Sequence, residues 1–227
     1  MNFLTDILDF ILPRFCASCN LKLYKNENVI CSECTRQIKE VDDARIKNEY
    51  ERKFAGSFII TDFFPLYVFE KDKPLQEIIH QFKYNKKFLI GKFLGKNLGF
   101  ALIEKIKQWN IDMIIPVPLH HLKKAERGYN QSLYIAKGIS AVVKIKVDDR
   151  IIKRKRFTKS QTTLNLEERE QNIKDAFSLR SRTKIAGKNI LLVDDVITTG
   201  STIRECGRLL IENGASQIYA ASTAIAG

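Results

Sequence analysis

The chain has 227 residues, of which 44% are hydrophobic and 28% are charged, and it carries a formal net charge of +12. This composition excludes a fibrous or globally disordered protein, and no apolar run approaches the roughly 20 residues that a membrane-spanning helix needs. The excess of Lys and Arg favours a polyanionic partner, such as nucleic acid, a phosphorylated metabolite or an anionic membrane face, although a lysine-rich surface also serves solubility.

Residues 3–12 predict a short amphipathic helix, in which Asp6 and Asp9 interrupt the apolar pattern. This stretch has neither the basic start nor the small-residue cleavage site of a signal peptide. We therefore expect the chain to stay in the cytoplasm, and its positive charge also allows a peripheral place at the inner membrane face.

Two C-x-x-C pairs follow, Cys16 with Cys19 and Cys31 with Cys34, separated by eleven residues. In a chain without an export signal, two such pairs predict a structural Zn²⁺ held by four thiolates, and the metal would supply much of the folding free energy of so short a module. A redox-active pair, buried thiols without a metal, and an iron–sulfur cluster stay open as alternatives. Cys206 lies in a helical pattern and is predicted to be a buried small hydrophobe.

The middle of the chain predicts a connection, then strands, then helices. The charged stretch Lys39–Lys53 is typical of a linker or a poorly packed connection. Ser57–Phe69 is rich in β-branched and aromatic residues and predicts two strands near a turn or sheet edge at Pro65. Apolar residues recur at helical spacing in Leu75–Tyr84 and Phe88–Gln108.

The second half of the chain alternates strands with helices, which predicts an α/β fold with a parallel sheet covered on both faces. Strands are predicted at Ile111–Val117, Arg150–Phe157, Asn189–Val193 and Gln217–Ser222, and helices at Tyr129–Val143, Glu167–Lys174 and Ser201–Asn213. Ligands bind beyond the carboxyl ends of such strands, so the loops after Val117 and Val193 are the candidate sites.

The segment from Ile190 to Thr202 carries the clearest chemical pattern. A hydrophobic strand leads into Asp194 and Asp195, then into a Thr-Thr-Gly-Ser-Thr loop that opens a helix. Backbone N–H groups and hydroxyls at a helix N-terminus can hold a phosphate monoester, and Gly200 allows the close approach of the anion. The paired acids suit ribose hydroxyls or hydrated Mg²⁺, so the segment predicts a ribose 5-phosphate site.

The stretch VDDVITTGST is similar to the phosphoribosyl pyrophosphate (PRPP) motif of type I phosphoribosyltransferases. Together with Ile115–Gln131, the four cysteines and the pattern Gln161…Leu164…Glu168-Arg169…Asn172…Ala176-Phe177, the chain resembles the ComF family. These are phosphoribosyltransferase-like proteins with an N-terminal zinc module, associated with DNA uptake in naturally competent bacteria. The resemblance implies a parallel-sheet type I phosphoribosyltransferase fold in residues 57–227, a four-cysteine zinc module in residues 1–37 and a linker in residues 38–56.

The resemblance also implies the site residues. Asp194 and Asp195 would contact the ribosyl hydroxyls as the catalytic pair, and Pro116–Leu119 would hold the pyrophosphate of PRPP with Mg²⁺. The candidate ligand-binding residues are Pro116, Val117, Pro118, Arg127, Val196, Thr198, Thr199, Gly200, Ser201 and Thr202. Pro116 and Pro118 remove two backbone donors from the pyrophosphate loop, which weakens the case for turnover. His120 and His121 are expected to face solvent.

A basic tract, Arg150–Lys159, holds six cationic residues in ten. On a strand, Lys153, Lys155 and Phe157 would share one face, and Arg154 and Arg156 the other. Cations beside an aromatic ring are typical of single-stranded DNA binding, so the candidates are Lys153, Arg154, Lys155, Arg156, Phe157 and Lys159. Binding of pyrophosphate or an anionic acceptor, and a charged edge strand that prevents aggregation, are the alternatives.

Three functions fit these features. The first is a PRPP-binding component of natural transformation that handles single-stranded DNA in the cytoplasm, in contact with proteins of the uptake machinery. The second is an active phosphoribosyltransferase that transfers ribose 5-phosphate to an unknown acceptor. The third is a regulator that responds to a small molecule bound in the same site. The proline-built loop favours the first over the second.

Overall fold

The computed structural model describes residues 13–156, 175–180 and 185–226. The predicted helices at residues 3–12 and Glu167–Lys174 lie outside these ranges, as do Phe157 and Lys159. In the described part of the chain, no helix combines the length and apolar character needed to cross a bilayer.

The described residues form six strands and eight α-helices. The strands are β1 Asp62–Val68, β2 Met113–Pro116, β3 Ile152–Arg154, β4 Phe177–Leu179, β5 Asn189–Ile197 and β6 Gln217–Ile225. The helices are α1 Ser32–Arg36, α2 Asp43–Lys53, α3 Pro74–Tyr84, α4 Phe88–Ala101, α5 Ile103–Trp109, α6 His121–Arg127, α7 Gln131–Val143 and α8 Ser201–Ile211, with a short 3₁₀ turn at Ala55–Ser57.

The central sheet has the strand order β1-β6-β5-β2, and every pair is parallel. Side chains alternate along β5, so that Leu191 and Val193 enter one apolar core while Ile190 and Leu192 enter the other. The first core contains α3, α4, α7 and the cysteine module, and the second contains α2 and α8. The predicted parallel α/β fold is confirmed.

The prediction that Lys39–Lys53 is a poorly packed connection is wrong. Helix α2 occupies most of this stretch, and the Asp42 carboxylate caps it by accepting from the Arg45 N–H at 2.8 Å. Ile46 belongs to the second core, and Glu49 and Lys53 are buried as well. The sequence pattern does not reveal this inner face, because two of its residues, Glu49 and Lys53, are charged. Their ion pair within the helix allows both to be buried.

Several other boundaries also differ from the predictions. Ser57–Phe69 forms one strand instead of two, although Pro65 does lie on an edge strand of the sheet. The predicted helix at Phe88–Gln108 breaks at Leu102. The basic strand β3 is only three residues long and pairs antiparallel with β4, apart from the central sheet.

The region after β2 contains an unpredicted helix, α6. Its N-terminus is capped by His120, whose Nδ1 accepts from the Leu122 N–H at 3.3 Å. His120 is only 3% exposed, so the expectation that it faces solvent is wrong, whereas His121 is exposed. Cys206, in contrast, is fully buried in α8 as predicted.

Candidate ligand cleft and metal centre

A cleft of about 430 Å³ opens at the carboxyl ends of β2 and β5. Most of the predicted ligand-binding residues line it together, namely Val117, Pro118, Arg127, Asp194, Asp195, Val196, Thr198, Thr199, Gly200, Ser201 and Thr202. Pro116 does not line the cleft, because it is the last, buried residue of β2. The cleft therefore brings together residues 117–132 and residues 194–202, which are more than 60 residues apart in sequence.

The two acids lie in β5 itself, which continues to Ile197 beside β6. Asp194 Oδ1 accepts from the Ser132 hydroxyl at 2.8 Å and from the Asp195 N–H at 2.9 Å. Asp195 Oδ2 pairs with Lys83 Nζ at 3.0 Å. Lys83 comes from α3 and Ser132 from α7, so three elements position this carboxylate pair.

The carboxylate pair titrates unevenly. Burial, and then the neighbouring charge of Asp195, raise the pKa of Asp194 to about 7. Burial also acts to raise the pKa of Asp195, but the adjacent Lys83 ammonium outweighs it and holds that pKa below its usual value. The pair therefore retains one proton in mildly acidic solution, and it becomes fully ionised only near or above neutral pH.

The hydroxyl-rich loop, Thr198–Thr202, turns from β5 into α8. Gly200 adopts φ +76°, and a Cβ at this position would come within 2.7 Å of the Phe54 ring. The Thr199 and Ser201 hydroxyl oxygens are 2.9 Å apart. The loop thus places two hydroxyls beside the first turn of α8, whose N–H groups have no acceptor within the helix.

The buried Lys53 and the half-buried Arg204 hold the carbonyl groups of this loop. Lys53 Nζ donates to the Thr198 carbonyl and is paired with Glu49 at 3.1 Å, and Arg204 donates to the Thr199 carbonyl at 3.1 Å. The C=O and N–H of a trans peptide point in opposite directions, so the N–H groups of Thr199 and Gly200 point away from these cations. Sequence reasoning missed Lys53 and Glu49 because they lie in the stretch that was predicted to be a linker.

Four cationic side chains line the cleft, namely Lys83, Lys123, Arg127 and Arg154. Burial, and then the charges of Arg127 and Arg154, lower the pKa of Lys123, as expected where cations are crowded. The buried Arg127 Nε and Gln131 Nε2 have no hydrogen-bond partner in the described part of the chain. Such buried donors favour an anionic or oxygen-rich ligand in this part of the cleft.

The basic tract is divided between two environments. Arg154 lines the cleft, with its guanidinium 5.3 Å from the Phe177 ring centre. Lys153, Lys155 and Arg156 are exposed to solvent. The structure therefore separates Arg154 from the other described candidates for nucleic-acid contact.

The four N-terminal cysteines form a compact cluster, with their Sγ atoms all within 4.8 Å of one another. The Ser18 and Cys31 N–H groups each donate to Cys16 Sγ at 3.4 Å, and the Cys34 N–H donates to Cys31 Sγ at the same distance. Backbone donors of this kind stabilise thiolates, so the donor set and its spacing fit a four-coordinate metal such as zinc.

Comparison with known proteins gives the family of the chain. A phosphoribosyl transferase domain profile matches residues 129–225. Competence protein F of Haemophilus influenzae is 32% identical over 215 residues, which cover 89% of this chain and 93% of that protein. DNA utilization protein YhgH of Escherichia coli K12 is 32% identical over 148 residues, 64% of each chain.

Part of the chain also aligns with solved structures. Purine phosphoribosyltransferase from Pyrococcus horikoshii is 20% identical, with a TM-score of 0.38 over 59% of this chain and 73% of that one. The near full-length match to competence protein F, the phosphoribosyl transferase domain and the four clustered cysteines agree with one another. The chain therefore belongs to the competence protein F (ComF) family, and it combines a type I phosphoribosyltransferase fold with an N-terminal four-cysteine module.

Proposed function

We propose that this chain binds PRPP with Mg²⁺ in the cleft and handles single-stranded DNA during DNA uptake. The observation that carries the proposal is the position of Asp194 and Asp195 beside the Thr198–Thr202 loop in one cleft. Carboxylates accept hydrogen bonds from a ribose diol, while the N–H groups and hydroxyls of the loop suit a 5-phosphate. A ribose 5-phosphate ligand uses both at once.

The phosphate end of the ligand would lie against the loop. Lys53 and Arg204 hold the Thr198 and Thr199 carbonyls on one side, so the N–H groups that follow are free to face a ligand on the other. Gly200 allows the φ of +76° that this turn adopts, and the Phe54 ring leaves no room for a side chain at this position.

The ribose and diphosphate would occupy the remainder of the cleft. Asp194 and Asp195 offer the oxygen ligands that Mg²⁺ prefers, and bound Mg²⁺ would neutralise part of the diphosphate charge. Lys123, Arg127 and Arg154 supply further positive charge. These side chains compensate for the backbone donor that Pro118 removes from the loop after β2.

Transfer of the phosphoribosyl group is the second candidate function. The cations that line the cleft would stabilise the departing diphosphate as its bond to the ribose C1 breaks and an acceptor bonds to that carbon. Incubation with labelled PRPP and Mg²⁺, with and without single-stranded DNA, tests this function. Release of pyrophosphate above the rate without protein would support it, and PRPP bound without release would leave binding as the function.

The names of two relatives, competence protein F and DNA utilization protein, support the proposed DNA-handling role. Lys153, Lys155 and Arg156 are exposed and can contact phosphates, while Phe157 and Lys159 extend the same tract in sequence. We place this role in the cytoplasm, where the chain would meet the strand delivered by proteins of the uptake machinery. The inner membrane face is the alternative place, given the net charge of +12.

Calorimetric titration with PRPP and Mg²⁺ tests the ligand site. The double variant Asp194→Asn with Asp195→Asn should lose Mg²⁺-dependent binding, because two neutral amides replace the charged ligands of the diol and metal. Glu51→Gln, an exposed change on α2, is the control and should bind as the unaltered chain does. Equal affinity of the double variant and the control would contradict the proposed site.

Fluorescence anisotropy with a labelled oligonucleotide tests the tract. Reversal of Lys153, Lys155 and Arg156 to Glu should weaken binding and flatten its salt dependence, since fewer counterions are released. Arg154→Gln is the matched comparison, and it should weaken PRPP binding while leaving the salt slope of DNA binding unchanged. A salt slope that is unaffected by the triple reversal would remove the tract from the DNA interface.

A further inference from the structure

A second basic surface lies outside the tract that sequence reasoning singled out. Residues 78–103 and 127–147 contain no Asp or Glu. They contain nine cationic residues, namely Lys83, Lys86, Lys87, Lys92, Lys96, Arg127, Lys137, Lys144 and Lys146. These two segments therefore account for nine of the twelve net positive charges of the whole chain.

The fold places these two segments side by side. Helices α4 and α7 pack with their backbones in contact, since a Cβ at Gly95 would lie 2.1 Å from the Ile135 carbonyl oxygen. The Lys86 side chain lies against Gly128, so the turn before α4 meets the turn before α7. Charges that are far apart in sequence are thus carried on neighbouring elements, and such a concentration of like charge favours binding of a polyanion.

Aromatic rings lie among these charges. Tyr84 is 52% exposed and Phe88 is 41% exposed, and the Phe88 ring centre is 5.2 Å from that of Tyr134. Each ring has a cation close to its centre, with Arg127 5.6 Å from Tyr84, Lys92 5.8 Å from Phe88, and Lys137 5.2 Å from Tyr134. The α4–α7 surface is defined here as Tyr84, Lys86, Lys87, Phe88, Lys92, Tyr134 and Lys137.

We infer that the α4–α7 surface binds single-stranded nucleic acid. The exposed lysines would contact phosphates while Tyr84 and Phe88 stack on unpaired bases. A duplex buries the faces of its bases, so exposed rings favour a single strand. An anionic bilayer is a poorer fit, because the cations here lie between rings on two helices and a turn, and do not flank the apolar face of a single helix.

The surface also borders the ligand cleft. Arg127 lines the cleft and lies over Tyr84, and Lys83, which pairs with Asp195, directly precedes Tyr84 in α3. The inference rests on the DNA-handling half of the proposed function and gives that function a second contact area. A strand on this surface would pass the mouth of the cleft, next to the groups proposed to bind ribose and phosphate.

Anisotropy with fluorescein-labelled oligodeoxythymidylate tests this inference on the full chain. Replacement of Lys86, Lys87 and Lys92 with Gln should weaken binding about tenfold or more and reduce the salt slope by about two, as expected for three lost phosphate contacts. The control replaces Lys39, Lys47 and Lys71, which are exposed elsewhere, with Gln and removes the same charge. The control should keep nearly all of the affinity.

A ring variant separates stacking from charge. Tyr84→Ser should weaken single-strand binding about tenfold with an unchanged salt slope, and Tyr84→Phe should restore the affinity because it keeps the ring. PRPP binding by calorimetry should be unaffected in the lysine variant, since none of its three positions lines the cleft.

Three results would overturn the inference. If the unaltered chain binds no oligonucleotide, both this surface and the DNA-handling function fail, while PRPP binding is judged separately by calorimetry. If the lysine variant matches its control and only the Lys153, Lys155 and Arg156 reversal loses binding, this surface alone is wrong. If the lysine variant matches its control on oligonucleotide but loses binding to phosphatidylglycerol vesicles, the surface is a membrane contact.

Discussion

Asp194 and Asp195 are neighbours in sequence, yet folding raises the pKa of the first and lowers that of the second, so their contributions to stability depend on pH in opposite directions. The pKa of Asp194 is raised to about 7 by burial and by Asp195, so between about pH 4 and 7 the folded chain binds a proton that the unfolded chain has released. Protonated Asp194 therefore contributes to the free energy of unfolding at low pH, and this contribution is lost as the pH rises through this range. Asp195 has a lowered pKa through Lys83, so its contribution is present above the unfolded-state pKa and is lost only in stronger acid.

We expect Asp194→Asn to stabilise the chain at pH 8 by about 1–2 kcal/mol, because it removes a buried charge, and to have little effect at pH 5. Asp195→Asn is an isosteric comparison that breaks the ion pair with Lys83, so it should destabilise at both pH values. Thermal unfolding at the two pH values measures both effects. Destabilisation of similar size by both variants at pH 8 would show that Asp194 is not the group that carries the proton.

Gly200 is held in a conformation that other residues rarely adopt. Gly200→Ala should lower the free energy of unfolding by about 1–3 kcal/mol, because φ is +76° and the new methyl would meet the Phe54 ring at 2.7 Å. Chemical denaturation measures the change. Gly56→Ala is the control, since a Cβ there meets nothing within 4 Å, and an equal loss in both variants would contradict the argument.

At the level of elements, helix α2 supports the phosphate loop. Lys53→Met should weaken PRPP binding about tenfold, because the Thr198 carbonyl loses a charged donor and the loop is held less firmly. Lys47→Met, on the exposed face of the same helix, is the control. Calorimetry on both variants measures the effect, and equal PRPP affinity would show that the loop keeps its form without Lys53.

The elements also show which parts of this molecule could be predicted from sequence. The carboxylates and the hydroxyl-rich loop are contiguous, so residues 190–202 display their chemistry locally, and the sheet follows from hydrophobic strands alternating with helices. Lys83 reaches the cleft, and Lys53 reaches the Thr198 carbonyl of its loop, only through tertiary packing, and no local pattern distinguishes them from the other lysines. Helix α2 was missed because a buried ion pair, Glu49 with Lys53, replaces apolar residues on its inner face.

At the level of the whole molecule, the cysteine module and the ligand cleft share one core. Cys16, Cys31 and Cys34 belong to the same buried cluster as Ile78 and Phe82 of α3. Phe82 directly precedes Lys83, the residue that pairs with Asp195. The cysteine module thus packs in the same core as α3 and helps to support that helix, although it lies far from the cleft residues in sequence.

We expect about one zinc per chain, held by the four clustered cysteines. Removal by a chelator should lower the free energy of unfolding by about 3 kcal/mol or more, and the melting temperature by about 6–12 °C. It should also weaken PRPP binding, because α3 loses part of the core that positions Lys83. Elemental analysis, thermal unfolding and calorimetry measure the three effects, with Cys206→Ala as the control that keeps its metal.

Substoichiometric zinc in protein purified without chelators would contradict the metal centre, and unchanged PRPP affinity after zinc removal would show that the module and the cleft are independent.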